Sequence, residues 1–308
     1  MLKIENFVKV YNKQPAVDNL SLHLKAGSIM GFIGPNGAGK TTTIKMIATL
    51  LEPTSGTAYV NGIDVTEAPD EIRPLIGYMP DFFGMYDDVK VWEYLDFFAA
   101  AYRIQKDKRK GSIDNILELT DLTGKRDSFV SELSRGMQQR LCLAKTILHD
   151  PKLLLLDEPA SGLDPRARIE IKELLKELRN MGKTILISSH ILPELADFCN
   201  EIAIIEQGKL VVSGDVEAIM NQCKGGTVLE ISVVDRLDEA VAFLEKLGSV
   251  GEVTIDNGTI TAAYCGQSGE HYSILEELTK NGFKVKSFNE AEVDLEDVFL
   301  KVTRGAVA

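Results

Sequence analysis

No apolar stretch in the 308-residue sequence approaches the roughly 20 residues a helix needs to cross a bilayer. Its start, MLKIENFVKV, has no signal-peptide apolar region, so the chain is expected in the cytosol unless a partner holds it at a membrane. Positive charge is in deficit: 34 Lys and Arg against 46 Asp and Glu give a net charge of −12. That balance leaves no basic surface for counterion release from nucleic acid, and nucleic-acid binding is disfavoured. Cysteines are few and scattered. Cys142, Cys199, Cys223 and Cys265 show no CxxC spacing and no nearby histidine in a ligand pattern, so neither a zinc site nor a disulfide framework is indicated, and reduced, mostly buried thiols are expected. Internal repeats and low-complexity tracts are absent as well. The remainder is ordinary globular composition, 44% hydrophobic and 26% charged, in a chain long enough for two domains.

GPNGAGKTT at positions 34–42 fits the phosphate-loop pattern GxxxxGK[ST]. The apolar run Ile29 to Ile33 before it reads as a buried strand, and a helical stretch follows. That context disfavours a chance glycine-rich turn. Gly34, Gly37 and Gly39 are expected to take positive φ and to leave no Cβ in the way, so that the N–H groups of the loop, whose path also takes in Pro35, Asn36 and Ala38, point inward at a phosphate. A helix starting near Gly39 adds the positive end of its dipole. Lys40 can reach the β- and γ-phosphates, Thr41 is placed for Mg²⁺ and Thr42 for a phosphate oxygen. The ligand implied is ATP with Mg²⁺.

Downstream, LLLLDEP at 153–159 is a buried apolar strand ending in two acids, at the carboxyl edge of a parallel sheet where ligands bind. Asp157 is expected to hold Mg²⁺, and Glu158, pointing differently, to accept a proton from the water that attacks the γ-phosphate. A strand ending in solvated acids is the plainer alternative, and the upstream loop weighs against it.

The first segment alternates apolar and polar residues, with turns near Asn12 and at Ala26-Gly27, and reads as short strands. A helix is expected from Gly39 to Leu51, ended by Glu52-Pro53, then strands around the Asn61-Gly62 turn. Positions 89–139 are mostly helical and are expected to form a lobe at about 82–150. Asp164 as N-cap and Pro165 at the first position open another helix, stopped near Gly182. A strand at Thr184 to Ser188, a short helix near Pro193 and a hairpin at Gln207-Gly208 complete a largely parallel sheet. Gly225-Gly226 marks the boundary between domains at 1–224 and 227–308. The second domain reads strand, helix, strand, strand, helix, strand, the ferredoxin-like order.

LSRGMQQR at 133–140, ahead of LLLLDEP, makes the chain resemble the ATP-binding subunits of ABC transporters over residues 1 to about 220. Ordinary phosphate-loop kinases and GTPases lack this element. The resemblance implies an α/β P-loop NTPase domain with a parallel-sheet core, an antiparallel β subdomain and a helical lobe, followed by the small α+β domain. It implies that Ser134 and Gly136 touch the γ-phosphate of ATP bound to a second subunit, expected as a homodimer. Tyr11 lies where an aromatic ring stacks on adenine, Asp164 in SGLD where the subunits communicate, and His190 in ISSH where a histidine grips the γ-phosphate; simple packing is the alternative for Tyr11 and His190. A membrane-spanning permease is the other implied partner, which would place the chain on the cytoplasmic face of the cell membrane. The closing AEVDLEDVFLKVT resembles the export-type branch related to antibiotic-resistance and sodium-extrusion ATPases.

Three positions depart from the family pattern. Asp81 in GYMPD stands where a glutamine is usual, and Arg135 and Met137 replace a glycine and a glutamine of the signature. Asp81 can still offer oxygen to Mg²⁺ or to the attacking water. Phe82, Phe83 and Tyr86 are candidates for the permease-facing groove, whereas Trp92, Phe97 and Phe98 fall on helical spacing that suits core packing. The competing function is a non-transport ATPase of the same family acting on the ribosome or another protein complex; such relatives carry two cassettes or a long coiled coil. A small-molecule kinase leaves LSRGMQQR and SGLD without a role.

Overall fold

Inward-facing apolar residues two apart make the first hairpin. Leu2 and Ile4 of β1 (Leu2–Tyr11) and Leu20, Leu22 and Leu24 of β2 (Gln14–Leu24) are buried. Asn12 and Lys13 both take positive φ between them, which matches the twist of a two-residue hairpin. The computed structural model describes residues 1–290 apart from 83, 87, 192–194, 196, 197, 217, 220–226, 257, 267 and 268. The expected helix near Pro193, the Gly225-Gly226 boundary, Cys223, Phe83 and the closing AEVDLEDVFLKVT lie outside these residues.

Next come β3 (Ile29–Ile33), α1 (Lys40–Ile47), β4 (Ser55–Val60), β5 (Ile63–Asp64), α2 (Pro69–Ile72) and β6 (Ile76–Met79). Helix α1 ends four residues short of the expected Leu51, because Thr49 adopts φ 58° and the amides of Thr49 and Leu50 turn back to Met46 and Lys45. This is the helix stop usually made by glycine. A helical lobe follows, with α3 (Val91–Ala101), α4 (Lys106–Leu119) and α5 (Arg135–Ile147) closing over Tyr94, Leu95, Leu117, Val130 and Leu141. Trp92 and Phe98 pack against that cluster, but Phe97 is exposed, contrary to its core spacing, as are Phe82 and Tyr86.

β7 (Leu153–Asp157), α6 (Pro165–Asn180), β8 (Thr184–Ser189), β9 (Glu201–Glu206) and β10 (Lys209–Asp215) complete the first unit, which takes in Met1–Val216. Asp164 caps α6 through a 2.9 Å bond from the Ala167 amide, and Gly182 (φ 87°) ends it. One sheet is antiparallel, in the order β2-β1-β4-β5; the other runs β10-β9-β3-β8-β7-β6 and is parallel except at β10. All of β3, β7 and β8 is buried, as strands covered on both faces must be. The loops after β6, β7, β8 and β3 therefore leave from one edge, and that edge carries the site.

The second unit has its own core. β11 (Thr227–Val233), α7 (Leu237–Leu244), β12 (Val250–Asp256), β13 (Thr259–Tyr264), α8 (Tyr272–Lys280) and β14 (Val285–Glu290) make an antiparallel sheet in the order β12-β13-β11-β14. Leu229, Ile231, Leu244, Ile260, Ile274 and Leu278 fill the space between sheet and helices. The order is that of a ferredoxin-like fold. Cys142 and Cys199 are buried free thiols, while Cys265 is exposed. Among the described residues no helix is long and apolar enough to cross a membrane.

Candidate functional site

The loop from β3 to α1 is shaped by crowding as much as by φ. A Cβ on Gly34 would stand 2.3 Å from the Ile205 carbonyl oxygen of β9, and one on Gly39 2.5 Å from that of Ala16. Gly37 and Gly39 have φ of 84° and 104°; Gly34 does not lie in the positive-φ region, so its expected role is corrected to one of close approach. The Ala38 carbonyl accepts from the Gly208 amide at 3.0 Å, which pins the loop to the β9–β10 turn. No side chain caps α1, whose N-cap is Gly39. Lys40 is buried and folds back over the loop, donating to the carbonyls of Gly34 at 2.6 Å and Pro35 at 3.3 Å.

Asn36, Gly37, Ala38, Gly39, Lys40, Thr41 and Thr42 line a cleft of about 440 Å³ together with Asp81, Glu158, Ser161 and His190. That volume lies in the range of small-molecule sites. Strand register supplies the acids: Asp157 pairs with Ser188 across β7 and β8. The Ser188 hydroxyl donates to Asp157 Oδ1 at 2.6 Å and accepts from the Glu158 amide at 3.0 Å. Asp157 Oδ2 is buried with no partner, an arrangement that suits a cation and is costly without one. Among the described residues no group of three or more acids, histidines or cysteines could hold a metal alone. This donor set fits Mg²⁺, which takes few protein ligands and completes its shell with phosphate and water.

Glu158 leaves the strand with φ 51°, a left-handed conformation uncommon for a residue other than glycine. Its carboxylate lies between Lys40 and His190, with Oε1 3.5 Å from Lys40 Nζ and Oε2 2.8 Å from His190 Nδ1. Asp81 sits exposed on the rim. Its carboxyl is nonetheless pushed up, first by desolvation, then by the charges of Asp157 and Glu158, against the pull of His190 and Arg135. Tyr78, which sequence reasoning missed, has a buried hydroxyl with no partner; burial, then the charges of Asp157 and Asp81, push its phenol up to about 12. Ser188 and Ser161 were missed too. Only the SSH and ASG contexts beside recognised motifs hinted at them.

Other candidates lie apart from this cleft. Ser134 caps α5, its hydroxyl accepting from the Met137 amide at 3.4 Å, and a Cβ on Gly136 would stand 3.0 Å from Ala167 Cβ at the start of α6. Ser134, Gly136 and Asp164 do not line the cleft of their own chain, and neither does Tyr11, 46% exposed beside Lys9 at the end of β1. Buried Gln139 ties α5 to the loop after β7 by donating to the Pro159 carbonyl at 2.6 Å.

Comparison with known proteins agrees with this geometry. A family profile described as "ABC transporter" matches residues 17–161, and one described as "ATP-binding protein DrrA1-3-like, C-terminal domain" matches 214–303. The bacitracin transport ATP-binding protein of Bacillus licheniformis is 35% identical over 311 residues, 99% of this chain and 98% of that protein. The Nod factor export ATP-binding protein I of Cupriavidus metallidurans is 33% identical over 303 residues, 98% of this chain and 97% of its own length. A dimeric ATP-binding cassette in a post-hydrolysis state, bound to ADP and Pi, superposes with TM-score 0.64 at 26% identity, covering 70% of this chain and 99% of that one. The chain belongs to the ATP-hydrolysing, ATP-binding subunits of ABC transporters.

Proposed function

We propose that two copies of this chain clasp two ATP molecules head to tail on the cytoplasmic face of a membrane, and that their closing and opening drives export through a separate membrane-spanning permease. One observation carries this reading. The cleft gathers Lys40, Thr41, Glu158 and His190, yet the capped start of α5 with Ser134 lies outside it, so a site using both draws on two chains. The dimeric cassette relative supports the pairing, and the Nod factor export protein supports the direction.

Thr41 and Asp157, with Asp81, would hold Mg²⁺, which supplies positive charge to the phosphate oxygens when bound. Lys40, held over the loop by the Gly34 carbonyl, faces the β- and γ-phosphates. Glu158 takes a proton from the attacking water, and the His190 contact orients its carboxylate. Ser134 and Gly136 of the other chain meet the γ-phosphate, so cleavage removes the group that both chains hold. Tyr11 stacks on adenine, and Asp164 sits where the chains meet. Domains at 1–224 and 227–308 would divide the work, with ATP handled in the first and dimer stabilisation or regulation in the second. Purification from membranes in Mg²⁺-ATP tests the assignment: a protein with several membrane-spanning helices should co-purify. Co-sedimentation with ribosomes and no membrane protein would contradict it.

A further inference from the structure

We propose that Arg135 couples the two ATP sites of the dimer, by tying the start of α5 to the loop that follows Glu158 in the same chain. Arg135 is the first helical residue of α5 and is exposed, and its Nη2 donates to the Ser161 carbonyl at 3.4 Å. The guanidinium lies against Gly162. A Cβ there would stand 2.3 Å from Nη2, 2.6 Å from Cζ and 2.9 Å from Nη1, so the seat exists only because residue 162 has no side chain. A planar fork suits this contact in a way an ammonium does not.

Ser161 passes the contact on. Its amide donates to the Glu158 carbonyl at 3.1 Å, and its side of the loop lines the cleft beside Glu158 and His190. A shift at the start of α5 therefore acts on the backbone of Glu158, whose carboxylate spans the narrow gap between Lys40 and His190. The charge of Arg135 also reaches Asp81 on the rim and opposes the desolvation there. The inference rests on the two-chain sandwich proposed above, in which the start of α5 reads the partner's ATP while Glu158 serves the chain's own. A link between them inside one protomer joins the two sites. Where the signature has its usual glycine, no side chain can make this tie.

Cutting the tie should leave the fold intact, since Arg135 is exposed and buried Gln139 still fastens α5 to Pro159. The test is the ATP dependence of phosphate release by the full-length chain. The unmodified chain should give a sigmoid curve with a Hill coefficient clearly above 1 and approaching about 2, the number of coupled sites. Arg135→Ala and Arg135→Gly should each bring it to about 1 while kcat stays within about threefold, a split that a general packing defect would not produce. Pairing of Glu158→Gln in Mg²⁺-ATP serves as the control on the sandwich. If Glu158→Gln pairs but the Arg135 variants stay as sigmoid as the parent, or the parent itself is hyperbolic, the tie is wrong and the sandwich stands. If Glu158→Gln does not pair, the sandwich is wrong and the tie falls with it.

Discussion

Two helix starts in the first unit are built for opposite situations. Helix α1 begins at Gly39 with no capping side chain, inside a cleft, with the buried Lys40 folded across it. Helix α5 begins at Ser134, which caps its own first turn, and carries the exposed Arg135 outside that cleft. Both present backbone amides at the positive end of a helix, suited to a phosphate. The first has walls, opposed acids and an orphan oxygen on Asp157; the second is an exposed knob strapped from behind by Gln139. In the proposed sandwich, a chain with one socket and one knob is half of two sites.

The comparison breaks most readily at its charged centre. Lys40→Ala should lower turnover about 100-fold, the scale of losing one preorganised electrostatic group, and should weaken nucleotide binding to an isolated chain. Ser134→Ala should lower turnover about 10-fold, roughly one hydrogen bond to a charged group, with isolated-chain binding unchanged by titration of a fluorescent nucleotide. Equal loss of isolated-chain binding in both variants would erase the distinction between socket and knob. Next in size, Asp81→Ala should reduce ATPase activity several-fold while Asp81→Gln keeps it, since only the rim oxygen is required. A fully active Asp81→Ala would remove that residue from catalysis and coupling.

Smaller effects test the frame around the two starts. Asp164→Ala removes the cap of α6, against which Gly136 packs, and should cost about 1 kcal/mol in denaturant unfolding. His149 joins lobe to core, its Nε2 3.0 Å from the Ile76 carbonyl and its ring stacked 3.8 Å from Tyr102. Burial holds its pKa below the ordinary 6.5, so the unfolded chain takes up this proton first. Stability from neutral His149 is complete above about 6.5 and falls as the pH drops below it. His149→Gln should flatten that acid limb slightly in thermal melts; an unchanged slope would mean the ring is protonated as readily folded as unfolded.

How far the molecule was legible depended on the distance over which each feature is decided. Local chemistry read well: Asp164 and Pro165 opened α6, and Gly182 closed it. The same kind of stop at Thr49 was hidden, because a threonine at φ 58° carries no glycine signal. The phosphate loop was plain, but the crowding that makes Gly34 necessary comes from Ile205, on a strand much later in the chain. The Ser188–Asp157 bond likewise depends on parallel register between β7 and β8. Helical spacing placed Phe97 in the core, yet its ring is exposed and meets Tyr86 edge-on at 6.0 Å.

The shared-site account turns on what happens when the proton acceptor is disabled but nucleotide still binds. Glu158→Gln, purified as the full-length chain, should run as a monomer without nucleotide and as a stable dimer in Mg²⁺-ATP by light scattering, with phosphate release lost. A variant that stays monomeric at saturating Mg²⁺-ATP, or that releases phosphate at the parent rate, would contradict it.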